Sequence, residues 1–116
     1  MIRFASTALC TLMMVACGGS SLPPAKVADT QSSISAATAV GADQNPQAAL
    51  HLKMARDQLK QAQGLLEDGK DDEARLVLMR ADADAEVALM ITREAQTSAN
   101  VQKARADVDG LQNRNQ

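Results

Sequence analysis

The chain of 116 residues has a formal net charge of −2, from 12 basic and 14 acidic side chains, which excludes a large multidomain protein and a strongly basic nucleic-acid-binding protein. Alanine supplies 22 of the residues, whereas Phe4 is the only aromatic one. This composition favours α-helices that pack through small side chains. It also excludes the aromatic stacking surfaces that many nucleic-acid, carbohydrate and cofactor sites use.

The N-terminal segment has the pattern of a secretory signal peptide. Arg3 gives a positive start, and residues 4–16 form an uncharged and mostly apolar run. This run is shorter than the roughly 20 apolar residues that a membrane-spanning helix needs. We therefore expect residues 1–16 to be removed as a signal peptide.

A cysteine stands directly after this run. The sequence Met-Val-Ala-Cys-Gly from Met14 to Gly18 resembles the lipobox of bacterial lipoproteins, in which small residues precede a cysteine that is lipidated and becomes the first residue of the mature chain. The resemblance implies a lipid anchor at Cys17. Cys10 is a poorer candidate because Leu9 precedes it and it would divide the apolar run. The alternative is an ordinary secretory signal in which Cys17 has no role.

The residues after Cys17 bear on location and on attachment. An Asp in the next position commonly retains bacterial lipoproteins in the inner membrane, and here that position is Gly18. The resemblance therefore implies the periplasmic face of the outer membrane. Residues 17–23 are rich in Gly and Ser, which predicts a flexible tether between the lipid and the folded part of the chain.

The first predicted helix spans residues 24–40. Pro24 suits the first turn of a helix, where its missing N–H would be unpaired anyway, and Gly41 is expected to end the helix. The alternative is a disordered stalk, because the many Ser and Thr residues lower the helix propensity. Four side chains that recur three or four residues apart predict the buried face: Val27, Thr30, Ile34 and Ala37.

The second predicted helix begins at Pro46 and continues to about residue 68. Asn45 is a good N-cap for it, and Pro46 is a favoured first helical residue. Gly69 is expected to end the helix in a left-handed conformation. The predicted buried positions repeat at intervals of three and four: Leu52, Ala55, Leu59, Ala62 and Leu66.

The third predicted helix runs from about Asp71 to Asn113, with acidic residues 71–73 in its first turn, where the helix dipole favours them. The link between the second and third helices has only a few residues, so the two must form an antiparallel hairpin. The candidate seam positions of the third helix are Ala74, Leu78, Ala81, Ala85, Ala88, Ile91, Ala95, Val101, Ala104, Val108 and Leu111.

These elements predict an all-α fold for residues 24–113, either an antiparallel helical hairpin or a three-helix bundle with a long C-terminal helix, followed by a short tail at residues 114–116. The third helix is predicted to overhang the second by about 20 residues. The hairpin cannot cover the apolar side chains of this overhang, so we expect them to contact a second copy or another envelope protein, and a frayed tail is the alternative. The predicted contact residues are Val101, Ala104, Val108 and Leu111.

Residues that could support catalysis or bind a metal are few. His51 is the only histidine and has no cysteine or second histidine near it, so we expect it at the edge of a packed helix. The acidic residues 71–73 lack the ligand spacing of a calcium loop. Asp82, Asp84 and Glu86 are expected on a solvated face. No phosphate-binding loop and no paired nucleophile and base can be assembled, so we expect neither an enzyme nor a metal or other cofactor.

Several short motifs extend over most of residues 30–96: Gly-Ala-Asp at 41–43, Ala-Arg-x-x-Leu at 55–59, the turn at 69–74, and alanines at 81, 85 and 88. With these motifs the chain resembles a family of short alanine-rich bacterial envelope lipoproteins that is known as domain of unknown function 4398. The resemblance implies a structural, tethering or adaptor protein bound to the membrane through Cys17. The alternative is a periplasmic module that binds a peptide, lipid or glycan in a groove between helices, although alanine seams leave little volume for one.

Overall fold

The computed structural model describes residues 24–114, which fold into α1 (Pro24–Ala39), a short 3-10 helix (Ala42–Gln44), α2 (Pro46–Glu67) and α3 (Asp71–Arg114). The part of the chain that the structure describes contains no strand, which confirms the all-α fold with a long C-terminal helix. The predicted signal peptide, Cys17, the tether at residues 17–23 and the last two residues of the predicted tail lie outside the described residues.

The link between α1 and α2 follows from the residue types predicted to form it. Gly41 has a φ of 86°, a left-handed conformation that favours glycine because it has no Cβ. Asn45 then caps α2, since its Oδ1 accepts hydrogen bonds from the backbone nitrogens of Gln47 and Ala48 at 3.0 and 3.2 Å. The predicted start of α2 at Pro46 is confirmed.

The turn between α2 and α3 is equally compact. Gly69 has a φ of 73°, and its backbone nitrogen donates to the carbonyl oxygen of Leu66 at 3.1 Å. The nitrogen of Lys70 donates to the carbonyl oxygen of Leu65 at 2.8 Å. These two bonds form a Schellman motif, which satisfies carbonyl groups at the end of α2. The turn reverses the chain, so α2 and α3 form the predicted antiparallel hairpin.

The helix α1 completes a three-helix body by packing against α2 and, more extensively, against α3. Near its start, Lys26 Nζ lies 3.9 Å from Asp82 Oδ2. At its end, Gln96 Nε2 donates to the carbonyl oxygen of Val40 at 2.9 Å. Therefore α1 runs parallel to α3 between residues 82 and 96. The predicted helix at residues 24–40 is confirmed, and the alternative of a disordered stalk is wrong.

The core of the body is built mainly from alanine, which supplies nine of the fourteen buried apolar residues in the described part of the chain. Small side chains let the helix axes approach closely, and Leu52 and Leu78 are the largest apolar side chains that are fully buried. The polar Thr92 is also buried and donates to the carbonyl oxygen of Ala88 at 2.8 Å. The buried apolar residues are Ile34, Ala37, Ala42, Ala48, Leu52, Ala55, Leu59, Ala62, Ala74, Val77, Leu78, Ala81, Ala85 and Ala88.

Most of the predicted buried positions up to Ala88 agree with this core. Val27, Leu66 and Ile91 are half-buried rather than buried, and Ala95 is exposed. Thr92 was not among the predicted positions, but it is buried and its hydroxyl is satisfied by its own helix. The body ends near Gln96, whose side chain holds the link between α1 and α2 against α3.

Candidate functional site

The last part of α3 extends beyond the body as a free helix. Every residue from 93 to 114 is exposed, and Ala99 lines an open groove with the link between α1 and α2. We call residues 97–114 the arm, which is about 27 Å long at 1.5 Å per residue. The predicted overhang of the third helix is therefore confirmed, and it is helical to Arg114.

The arm presents apolar side chains to solvent. Val101, Val108 and Leu111 are 45%, 52% and 53% exposed, and Ala104 lies between them on the same face. Val101, Ala104 and Val108 line an open trough along the arm, together with the charged Arg105 and Asp109. The structure thus brings together all four residues predicted to contact a partner. Their contact with a partner stays a prediction.

The spacing predicts that these side chains continue the seam that α3 buries in the body. They do not continue it. The step from Ala95 to Val101 is six residues, which turns the helix by about 240° beyond a full turn and moves the apolar face to the other side. Upstream, the same outer side of α3 carries Val87 and Met90, which are 37% and 66% exposed. The apolar face of the arm is therefore continuous with the outer face of the body.

The outer face has the spacing of a coiled-coil seam. Its residues follow one another at alternating steps of four and three for four heptads, and seven of the nine are apolar. Val87 and Met90 were not predicted to belong to a site. The signal that could have found them is their distance from Val108 and Leu111, three heptads in each case. We call this set the outer stripe: Ala83, Val87, Met90, Glu94, Thr97, Val101, Ala104, Val108 and Leu111.

A cluster of polar side chains inside the body joins α2 to α3. Asp84 Oδ1 lies 2.9 Å from Nδ1 of His51, and its Oδ2 accepts a hydrogen bond from Nε2 of Gln58 at 2.8 Å. Asp84 was expected on a solvated face, and this prediction is wrong because α2 covers that side of α3. His51 lies at the edge of a packed helix, as expected. The three side chains hold the two helices in register.

Asp82 faces the other neighbour of α3. Its Oδ2 lies 3.9 Å from Lys26 on α1, and its Oδ1 is buried without a hydrogen-bond partner. The prediction of a solvated face is therefore wrong for Asp82 as well, whereas Glu86 is exposed. Glu86 lines a groove of about 330 Å³ between α1 and α3. The lining residues of this groove are Asp29, Ser32, Ser33, Ala36, Ala85, Glu86 and Leu89.

The remaining polar residues show no arrangement for metal chemistry. Within residues 24–114, no group of three or more His, Cys, Asp or Glu side chains could hold a metal ion. Asp71, Asp72 and Glu73 occupy the first turn of α3, where the helix dipole favours negative charge. No helix among the described residues is long and apolar enough to cross a membrane.

Comparison with known proteins yields one match. The model of the family described as Domain of unknown function (DUF4398) matches residues 25–111, which include all of the body except Pro24 and most of the arm. No curated protein and no solved structure matches the chain.

Proposed function

Since the chain belongs to the DUF4398 family, we propose a function from its own residues: it is a lipid-anchored structural protein, a tether or adaptor on the periplasmic face of the bacterial outer membrane. In this proposal Cys17 carries the lipid, residues 17–23 form a flexible tether, and the arm makes the contact with a partner. The observation that supports the adaptor role most directly is the exposed apolar face of the arm.

The energetic argument starts from the exposure of the arm. An isolated helix of this length is marginal in water, and its apolar side chains gain nothing from facing solvent. A partner that covers Val101, Val108 and Leu111 would remove their exposed apolar surface from water and stabilise the arm by about 25 cal/mol for each Å² covered. The same contact would link the partner to whatever holds the N-terminal end of the chain.

The membrane attachment rests on the sequence. Residues 1–16 have the pattern of a signal peptide, and Met14 to Gly18 resembles a lipobox. Acyl chains on Cys17 would bind the membrane firmly, since each buried CH₂ contributes about 0.8 kcal/mol and several chains exceed what stable attachment needs. Cys17 is therefore the proposed means of attachment.

Fatty-acid labelling in cells tests the anchor. We expect the wild-type chain to incorporate a fatty-acid analogue and to fractionate with outer membranes, and we expect Cys17→Ala to lose both properties. Cys10→Ala is the matched control and should retain label and location, because Cys10 lies within the predicted signal peptide. If Cys17→Ala still carries the label or stays membrane-bound, the proposed anchor is wrong.

Cross-linking in intact cells tests the arm. We expect Val101→Asp with Val108→Asp to abolish the cross-links of the wild-type protein, because two carboxylates on the apolar face would have to be desolvated in the contact. Gln102→Asp with Ala106→Asp is the matched control, since it adds two carboxylates to the other face of the arm. Unchanged cross-links in the first variant, with the body still folded, would remove the arm from the proposed function.

The alternative function is a binding module for a peptide, lipid or glycan, and its candidate binding site is the groove between α1 and α3. This groove has a small apolar floor at Ala85 and acidic side chains, Asp29 and Glu86, at its rim. Saturable binding of a peptide, lipid or glycan that is lost in Ala36→Leu, with the anchor and arm variants behaving as wild type, would favour the alternative, since Ala36 is an exposed residue of the groove lining.

A further inference from the structure

A series of charged and polar side chains runs along one edge of the outer stripe. Glu86, Arg93, Asn100, Asp107 and Arg114 follow one another at intervals of seven residues, and all five are exposed. Each of them directly precedes a stripe position or its continuation, so they lie together on one edge of the stripe. Their charges run negative, positive, neutral, negative, positive. Read in the opposite direction, from Arg114 to Glu86, the charges run positive, negative, neutral, positive, negative. Two copies of the series placed antiparallel therefore set each charge opposite one of the other sign.

From this self-complementary series we propose that the outer stripe of α3 binds a second copy of the chain in the antiparallel direction, around a two-fold axis near Asn100. The proposal rests on the proposed function, because it names the partner of the arm. In this pairing Glu86 lies opposite Arg114 of the second copy, and Arg93 lies opposite Asp107 of the second copy. The symmetry repeats both contacts, so four ion pairs flank the seam. Within the described part of the chain, Arg114 donates a long 3.4 Å hydrogen bond to the carbonyl of Gly110, in its own helix.

The same register places apolar side chains opposite one another in the seam. An antiparallel coiled coil alternates the two kinds of stripe position across the interface, and the overlap runs from residue 87 to residue 111, about 37 Å. Glu94 lies opposite the small Ala104, which leaves its carboxylate a path to solvent. The stripe drifts by about 20° per heptad on a straight helix, so the pair is expected to supercoil left-handedly. The layers are Val87 with Leu111, Met90 with Val108, Glu94 with Ala104, and Thr97 with Val101.

A parallel pair of the same helices is less favourable. In register, it would place Glu94 against Glu94 of the second copy inside the seam, where like charges repel in a partly desolvated contact. It would also place Arg93 near Ser98 and Asp107 near Gln112, so neither charge would meet an opposite one. Only the antiparallel direction uses the complementary charges.

The body leaves this surface free. The body packs against the side of α3 that carries Ala85, Ala88 and Thr92, all of which are buried, whereas Val87 and Met90 point away from it. The arm of a second copy can therefore lie along the outer stripe at the level of the body without displacing α1 or α2. The end of each arm, near Leu111, would cover Val87 of the other copy.

Thiol cross-linking of the full-length chain tests the direction of the pair. A short bifunctional thiol reagent should join Asn100→Cys into a dimer, because the two-fold axis brings residue 100 of both copies together. Leu111→Cys should not cross-link to itself, since residue 111 of one copy lies level with residue 87 of the other, about 36 Å away. The wild-type chain gives the background from its own cysteines. A dimer through Leu111→Cys and none through Asn100→Cys would overturn the antiparallel pairing.

Charge reversal tests the edge contacts. In the Asn100→Cys chain, Arg93→Asp places like charges together twice by symmetry and should weaken the dimer on the order of tenfold in a dilution series. Adding Asp107→Arg should restore the wild-type value. Lys60→Asp makes the same change in charge at an exposed position of α2, away from this edge, and should have no effect. A loss that Asp107→Arg does not restore would overturn the pairing of these residues.

The outcomes separate this inference from the proposed function. If Cys17 is labelled but Asn100→Cys joins to no second copy, or joins only to a different protein, the pairing is wrong and the anchored adaptor stands. If Cys17→Ala keeps its label while Asn100→Cys forms the dimer, the anchor is wrong and the pairing stands.

Discussion

The arm and the part of α3 that lies in the body belong to one continuous helix, but they are stabilised in different ways. Residues 71–96 of α3 pack against two other helices and bury Leu78 and a ladder of alanines. Residues 97–114 have similar helix-forming residues but bury no side chain. Helix propensity alone therefore carries α3 past its core. The comparison teaches that α3 is longer than the part of it that packs against other helices, so helix length does not mark the end of the packed core in this chain.

The charges of the two regions also differ in arrangement. Asp82 and Asp84 in the body each face a neighbouring helix, and Asp84 is bonded to two α2 side chains. In the arm, Lys103 with Asp107 and Arg105 with Asp109 have the spacing of pairs within one helix, each worth a few tenths of a kcal/mol. The polar residues of the body fix its packing, whereas those of the arm are available to a partner.

The largest expected difference between the body and the arm comes from replacing one leucine in each. Leu78→Ala should lower the free energy of unfolding by about 2–5 kcal/mol, because it leaves a cavity at a fully buried site. Leu111→Ala should change it by less than about 0.5 kcal/mol in dilute solution, since the side chain is exposed. Urea unfolding followed by circular dichroism measures both.

The protein concentration makes this comparison sharper. The loss from Leu78→Ala should be the same at every concentration, whereas the loss from Leu111→Ala should grow as concentration rises and a second copy covers the site. An equal loss from both substitutions in dilute solution would mean that the arm folds back onto its own body.

A smaller effect is expected from the asparagines of the two regions. Asn45→Ala should lower the free energy of unfolding by about 1 kcal/mol, because two backbone N–H groups at the start of α2 lose their acceptor. Asn45→Asp should retain most of the stability, since Asp caps equally well. Asn100→Ala should not lower the stability of the body, because Asn100 is exposed within the arm and Ala is the better helix former. A loss of about 1 kcal/mol in both Ala variants would contradict the distinction.

The smallest effect is expected when a helical glycine with open space around it is replaced by alanine, once in the body and once in the arm. Gly64→Ala should raise the free energy of unfolding of the body by up to about 1 kcal/mol, because Gly64 lies within α2. Gly110→Ala should leave that value unchanged in dilute solution and instead raise the helical ellipticity of the native protein, because the arm frays independently of the body. A rise in the unfolding free energy from Gly110→Ala would show that the arm and the body unfold together.

The ends of the helices could be predicted because a few residues determine them chemically. Pro24, Gly41, Asn45 and Gly69 each suit one position at the end of a helix, and all four occupy that position. The short 3-10 helix at Ala42–Gln44 could not be predicted, since three residues carry no periodicity. Most buried residues of the body could be predicted because alanines and leucines recur at steps of three and four residues.

The surroundings of the charged residues could not be predicted from one helix at a time. Whether Asp84 faces solvent or α2 depends on the side of α3 that α2 occupies, and no residue within α3 specifies this. The face of the arm was predicted wrongly because Ala95 and Val101 were taken as one seam although six residues separate them. The residues predicted for the contact are nevertheless together on one exposed face.

The parallel packing of α1 along α3 has a consequence for encounters at a surface. Lys26 lies beside Asp82, so the tip of the arm at Arg114 is 32 residues, or about 48 Å, further along the same helix. With the anchor that we propose at Cys17, each copy would diffuse in two dimensions, and its arm would sweep a disc of about this radius. The effective concentration of arms would then depend on the surface density of the protein. A contact that is weak in dilute solution would be sufficient there.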